Sequence, residues 1–421
     1  MRNEEQILKN YEEAKAVYKD LGVDTDEAVE IFSTIPISLH NWQDDDVVGF
    51  EKHDGVASEN LVTGSYPGRA RNGEEMRMDI EKAFSLSPCK PRVNMHSMYG
   101  EPGTTDRKDV SIKDFGKWVD WAKEKGYGMD FNVSFFTHPM MKDGCSLASD
   151  DKATREYWIE AGINGRKLAN DIGKELGETC VNNIWIPDGM KDVPANRFRY
   201  RDYLEEALDR ILEVKYDKNN MRDVMEGKLF GIGKECFTVG SHDFYLAYAV
   251  KNGVGVCMDT GHYHPTETII DKISSVYKFV DTIMLHISRG IRWDSDHVLI
   301  QGDDLTDVMK QVVRGKLYNS GKVFMGLDYF DATINRVAAF TIGLRAAGKA
   351  LTEALVEPYE MLDRAELEGR YTERLAILDE TKNLPINAVW DYICLKAGVP
   401  VGMDWIAEMK KYEADVMMKR N

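Results

Sequence analysis

Eight short β-prone segments recur along the chain: Pro36 to Leu39, Arg92 to Met95, Gly128 to Val133, Val181 to Ile186, Asp223 to Leu229, Val254 to Asp259, Thr282 to Ile287 and Val323 to Leu327. Stretches of helical periodicity, such as Ile112 to Lys125 and Lys152 to Leu176, separate them. Strand and helix alternating over this length implies parallel βαβ units, because parallel neighbours need a long crossover between them. Eight such units are what a closed (β/α)8 barrel requires. A doubly wound open sheet would more often carry a glycine-rich phosphate turn after its first strand, whereas the chain there reads HNWQDDDVVGFEKHDG. The predicted fold class is therefore α/β, a (β/α)8 barrel.

An amphipathic helix to about Leu21, stopped by Gly22, precedes the first strand. From Asn335 onward the pattern is helical with no further strand. The predicted division is residues 1–335, the N-terminal helix plus catalytic barrel, and residues 336–421, a helical C-terminal extension packing on the barrel or on a neighbouring subunit. The long polar loop Trp42 to Asn72 falls on the barrel's catalytic rim, and its Asp44 to Asp46 and GSYPGRARN segments are candidates to reach a neighbouring site.

A formal charge of −17 argues against nucleic acid or an anionic membrane as partner and leaves small neutral substrates open. The six scattered cysteines, with no CxxC pair, read as free thiols of a reducing compartment. With no apolar run of signal-peptide length at the start, and none of the ~20 residues that cross a bilayer, the expected location is cytoplasmic.

The chemistry lies at the strand ends of the second half, in Glu226, Asp259, His262, His286, Asp294, Asp296 and Asp328. Seven ligand-type side chains suit two metal ions better than one, and carboxylate with imidazole, without thiolate, favours Mn²⁺, Mg²⁺ or Co²⁺ over a structural zinc cage. VGVCMDTGHYHPTE sets Asp259 and His262 three apart, with Gly261 giving the loop the freedom to return to the rim; His264 is a rival ligand restricted by Pro265. Asp294 and Asp296 are one residue apart, and in an extended segment both carboxylates face one side. Glu226 and Lys228 have the same period, placing an ammonium group beside a candidate ligand. Each acid taken alone is more often a helix cap or loop residue. Recurrence on successive strand ends is what favours a metal centre.

The stretches SLHNWQDDDVVGFE, NIWIPDGMKD, KLFGIGKECFTVGS, MDTGHYHPTETIIDKIS, RWDSDHV and GLDYFDATINRVAA resemble those of bacterial L-rhamnose isomerases, and Glu-x-Lys, Asp-x-x-His and Asp-x-Asp resemble the two-metal pattern of the wider xylose isomerase group. The resemblance implies a TIM barrel with a C-terminal helical extension, a homotetramer, and Mn²⁺ as the cofactor at two sites, with Co²⁺, Mg²⁺ or Zn²⁺ as alternatives. It implies that Glu226, Asp259, His286 and Asp328 hold a structural ion, that His262, Asp294 and Asp296 hold a catalytic one, and that Asp259 is placed to bridge them. Gly227 stands where xylose isomerases tend to have proline.

The activity implied is interconversion of L-rhamnose and L-rhamnulose by a metal-assisted hydride shift between C1 and C2, the first step of L-rhamnose degradation. Lys228, His96 and Asp296 are the expected catalytic residues: Lys228 as a hydrogen-bond donor to O1, and His96 at ring opening or O5. Trp185, with His96 and Lys228, is expected to bind the sugar, Trp185 as an apolar wall; Asn183 and Phe131 have weaker claims. Alternatives are an isomerase or epimerase for another sugar on the same barrel and, more remotely, a metal-dependent hydrolase. A structural or sugar-binding barrel is the non-enzyme reading.

Overall fold

The computed structural model describes residues 3–51, 63–291 and 293–420, with the side chains of residues 293–295 also outside the description. Eight parallel strands close into a barrel: β1 (Pro36–His40), β2 (Lys90–His96), β3 (Gly128–Asn132), β4 (Cys180–Ile184), β5 (Met221–Glu226), β6 (Gly255–Asp259), β7 (Ile283–Ile287) and β8 (Val323–Leu327). Closure is made by β1, which pairs with β2 on one side and with β8 on the other, Ser38 opposite Gly326.

Each predicted strand is present, and the boundaries move by a few residues. The largest change is at β5, which stops at Glu226 rather than running to Leu229. Beyond it the backbone leaves the ladder: Lys228 N donates to Gly240 O at 3.1 Å and Leu229 N to His262 O at 3.2 Å. Local sequence sets the helices between strands. Asp151 caps Lys152–Leu176, and a reciprocal pair of bonds between Ser111 and Asp114 opens Ile112–Lys125. Gly126 and Gly177 end these two helices in the left-handed conformation, at φ of 69° and 70°, just before β3 and β4.

Side chains two apart on a strand share a face. On β4 to β7 this gives one repeated order. Val181, Val224, Cys257 and Met284 form a small buried apolar cluster, and two residues further on stand Asn183, Glu226, Asp259 and His286. An apolar floor thus lies beneath a ring of polar donors at the C-terminal rim. The residues between face outward: Phe131 meets Phe115 edge-on at 5.5 Å, and Asp223 pairs with Arg166 of Lys152–Leu176 at 2.9 Å. Phe131 is therefore turned away from the rim.

Helix Arg336–Leu355 packs against Asp303–Arg314 and Gly73–Phe84 around the barrel. The later helices fold back on the N-terminal ones, with Tyr392 stacked on Tyr11 at 3.8 Å and Trp390 edge-on to Phe32. Asp44, Asp45 and Asp46 are buried in their own chain rather than reaching out. Tyr99 donates to Asp45 Oδ1 at 2.6 Å, Thr63 N to Asp46 Oδ2 at 2.7 Å, and Ala70 N to the Asp44 carbonyl at 3.3 Å. Part of the GSYPGRARN stretch is likewise engaged within the chain, Tyr66 N donating to Ala332 O at 2.8 Å. Among the described residues no helix is long and apolar enough to cross a membrane.

Candidate metal centre and sugar pocket

A cavity of about 490 Å³ opens at the C-terminal mouth of the barrel. Trp42, His96, Phe136, Trp185, Lys228 and Phe330 stand around it, and Glu226, His262, Asp296 and Asp328 line it as well. Ligands of (β/α)8 barrels gather at this face because the βα loops and strand ends converge there.

Two groups of donor atoms lie there, each within 4.8 Å: Glu226, Asp259, His286 and Asp328 in one, Asp259, His262 and Asp296 in the other. Asp259 belongs to both. His286 Nδ1 is 3.0 Å from Asp328 Oδ2 and 3.5 Å from Glu226 Oε2, and His262 Nδ1 is 3.2 Å from Glu226 Oε1. The Asp294 side chain lies outside the described residues. His264 is exposed, its Nδ1 engaged by Thr266, and it belongs to neither group.

The donor set fits divalent ions. Burial pushes the Asp259 carboxyl well above its usual range, and Asp328, Glu226 and Asp296 push it the same way. Three or four carboxylates crowded out of water repel one another unless a cation offsets the charge. Asp259 Oδ2 and Glu226 Oε1 are buried and have no hydrogen-bond donor in good geometry among the described residues, as oxygens reserved for a metal would be. Cys257 adds a donor that the sequence reading passed over: its sulfur lies within 4.8 Å of Glu226 and His286 donor atoms. Sited on the barrel floor rather than at a strand end, it carried no spacing signal.

Several neighbours hold these groups in place. Trp42 Nε1 donates to Asp328 Oδ1 at 3.1 Å, Gly261 N to Asp259 Oδ1 at 2.6 Å, and Asn183 Nδ2 to Glu226 Oε2. Gly261 serves through space rather than flexibility. It has no positive φ, but a Cβ there would come 2.8 Å from Ser288 Oγ and 3.3 Å from Asp259 Oδ1. Gly227, the departure from the xylose isomerase pattern, has a similar cause. Its missing side chain admits His242, whose Nε2 donates to the His262 carbonyl at 2.9 Å and whose ring stacks on Tyr263 at 3.9 Å.

The pocket walls carry the remaining candidates. Lys228 Nζ stands 5.3 Å from the Trp185 ring centre, and Trp185 Nε1 is buried with no acceptor among the described residues. His96 Nδ1 is 2.9 Å from Ser134 Oγ, and its ring sits between Trp42 and Phe136. Burial lowers the His96 imidazole to about 3, against a partial opposing pull from Asp328. Trp42, Asn132, Ser134, Phe136 and Phe330 were missed in the sequence. Three of them had a strand-end signal: Asn132 closes β3, and Trp42 and Ser134 lie two residues beyond the ends of β1 and β3.

A family model described as L-rhamnose isomerase (RhaA) matches residues 5–420. Curated proteins named L-rhamnose isomerase include one from Listeria monocytogenes serotype 4a, 47% identical over 422 residues and covering 100% of both chains. Another, from Rhodopirellula baltica, is 48% identical over 417 residues and covers 99% of this chain and 97% of that one. Among solved structures, one of L-ribulose 3-epimerase has a TM-score of 0.48 at 13% identity, covering 76% of this chain and 95% of that one. With a family match over nearly its whole length and relatives 47–48% identical across both chains, the chain belongs to the L-rhamnose isomerase family.

Proposed function

We propose that this chain is an intramolecular oxidoreductase that interconverts L-rhamnose and L-rhamnulose. The observation that carries the reading, beside the family, is the pair of donor groups sharing Asp259 at one pocket. Glu226, Asp259, His286 and Asp328 would hold one divalent ion, and Asp259, His262, Asp296 and Asp294 a second; oxygen and imidazole donors suit Mn²⁺, Mg²⁺ or Co²⁺, and the family favours Mn²⁺ among them. Bound there, such ions supply Lewis acidity that stabilises negative charge on the sugar's carbonyl oxygen.

The chain's own groups do the rest. Trp185 and Phe136 offer the open-chain sugar an apolar wall. Lys228, over Trp185, donates a hydrogen bond to O1 as charge grows on it. Hydrogen leaves C2 for C1 with its electron pair, the O2 proton departs as the new carbonyl forms, and O1 gains a proton. Asp296, on the pocket wall, holds that proton between the two oxygens. His96, with Nδ1 engaged by Ser134, presents its other ring nitrogen to O5 for ring opening. Holding C1 and C2 in register is where positioned walls contribute most to rate.

The reaction run in D₂O tests the hydride path. Ketose formed without deuterium at C1 supports a direct shift, whereas deuterium at C1 would indicate an enediol exchanging with solvent.

A cytoplasmic homotetramer completes the proposal. All six cysteines are free, which suits a reducing compartment. Leu367, Tyr371 and Leu375 on the C-terminal helices are 80%, 62% and 65% exposed, an apolar surface suited to a neighbouring subunit.

A further inference from the structure

Outside the donor groups, one fully satisfied buried charge near the pocket is Arg107, 3% exposed in a short helical turn between β2 and Ile112–Lys125. All five of its N–H donors have acceptors. Nε and Nη2 fork onto the Glu51 carboxylate, at 3.0 and 2.5 Å. The others converge on one loop: Nη1 donates to Ser134 O at 2.8 Å and to Phe136 O at 2.5 Å, and Nη2 to Thr137 O at 3.2 Å.

That loop is strained. Ser134 and Thr137 are non-glycine residues in the left-handed region, at φ of 53° and 48°, a conformation that persists only where surrounding bonds over-determine it. Arg107 gathers three carbonyls from this stretch onto one planar cation, and the inner side of the same stretch builds the pocket. Ser134 Oγ meets His96 Nδ1, and the Phe136 ring packs edge-on against His96 at 5.3 Å and Trp185 at 5.5 Å. A second post stands beside the first: Asp106 accepts from Tyr157 at 2.7 Å, and Tyr157 meets His138 Nε2 at 3.1 Å on the far end of the loop.

We infer that Arg107 is a positioning residue for the sugar pocket: by clamping the carbonyls of Ser134, Phe136 and Thr137 it sets the Phe136 wall and the hydrogen bond that orients His96. Its five donors are all taken by Glu51 and the loop carbonyls. The inference rests on the proposed use of the cavity as the sugar site, and it deepens that reading.

Arg107→Lys tests it. Lysine keeps the charge beside Glu51 but offers three donors on a flexible stem in place of a planar fork, so the loop loses carbonyl bonds while the ion pair survives. The expected result is a rise in KM for L-rhamnose and a fall in kcat/KM of roughly 10- to 100-fold, with bound Mn²⁺ close to wild type and circular dichroism that of the folded chain. Hydrogen exchange should quicken in peptides spanning Ser134 to Met141 and stay unchanged across the barrel strands. In Arg107→Ala, low-millimolar guanidinium should restore part of the lost rate; should that variant fail to fold, Arg107→Lys decides. Wild-type constants and unchanged loop exchange in folded Arg107→Lys would overturn the inference, as would a loss of rate that follows lost metal. Wild-type protein inactive on L-rhamnose would instead fail the functional proposal, and loop exchange would still decide the role of Arg107.

Discussion

At the residue scale the account turns on Asp259, the carboxylate common to both donor groups. Asp259→Asn removes a charged donor from each at once; loss of an outer-shell support alone weakens metal affinity by roughly 10- to 100-fold, so loss of the shared ligand should cost at least that. The expected outcome is fewer than two Mn²⁺ per chain at micromolar metal and turnover reduced by at least that factor. A variant that still held two ions would show that the groups do not share Asp259. His96 makes a second prediction. With its imidazole lowered to about 3 by burial, it stays neutral at pH 5, where an ordinary histidine is mostly charged. The unfolded chain then takes up the proton first, so this group's stability is complete above about pH 6.5 and is lost as pH falls from there toward about 3. NMR of the imidazole reads it, and a midpoint near 6.5 would contradict the burial argument. Acids and imidazoles were legible in the sequence because strand ends repeat with period two. Arg107 was not, and Trp42 was legible only by its place just past β1, because their partners, Asp328 for Trp42 and Ser134 to Thr137 for Arg107, are brought to them only by the fold.

Elements show a different boundary of legibility. All eight strands could be read from apolar runs and intervening helical periodicity, but the end of β5 could not, because what stops it lies elsewhere in the chain. Glycine at 227 lets His242 approach, and a Cβ there would fall 2.7 Å from His242 Nδ1 and 2.9 Å from its Cα. Since backbone as well as ring is in the way, Gly227→Ala should cost about 1–3 kcal/mol through overpacking and loosen the His242 bond to the His262 carbonyl. Melting temperature and Mn²⁺ affinity together measure this; both unchanged would mean that the segment gives way freely. The Asp44 to Asp46 turn, a candidate in the sequence to reach a neighbouring site, is instead drawn into its own chain, Asp45 by the Tyr99 hydroxyl and Gly49 N and Asp46 by Thr63.

The whole molecule is tied shut by its last turn. Arg420 bonds both oxygens of fully buried Asp79 in Gly73–Phe84, at 2.5 and 2.7 Å, and Tyr412 donates to the same carboxylate. Removing one partner of a buried ion pair costs about 3–5 kcal/mol, so Arg420→Ala should lower the melting temperature markedly without altering any pocket residue. An unchanged melting temperature would show that the C-terminal turn is dispensable. Native mass spectrometry reads the proposed tetramer, and a fully active monomer would remove it. The central claim is that two divalent ions on this rim make the chain an L-rhamnose isomerase. Its most direct test is turnover of L-rhamnose by chelator-stripped protein before and after Mn²⁺, with circular dichroism recorded on both. The account predicts an intact spectrum throughout, no ketose without metal, and L-rhamnulose once metal returns. Undiminished turnover by the stripped protein, or none with two Mn²⁺ bound, would contradict it.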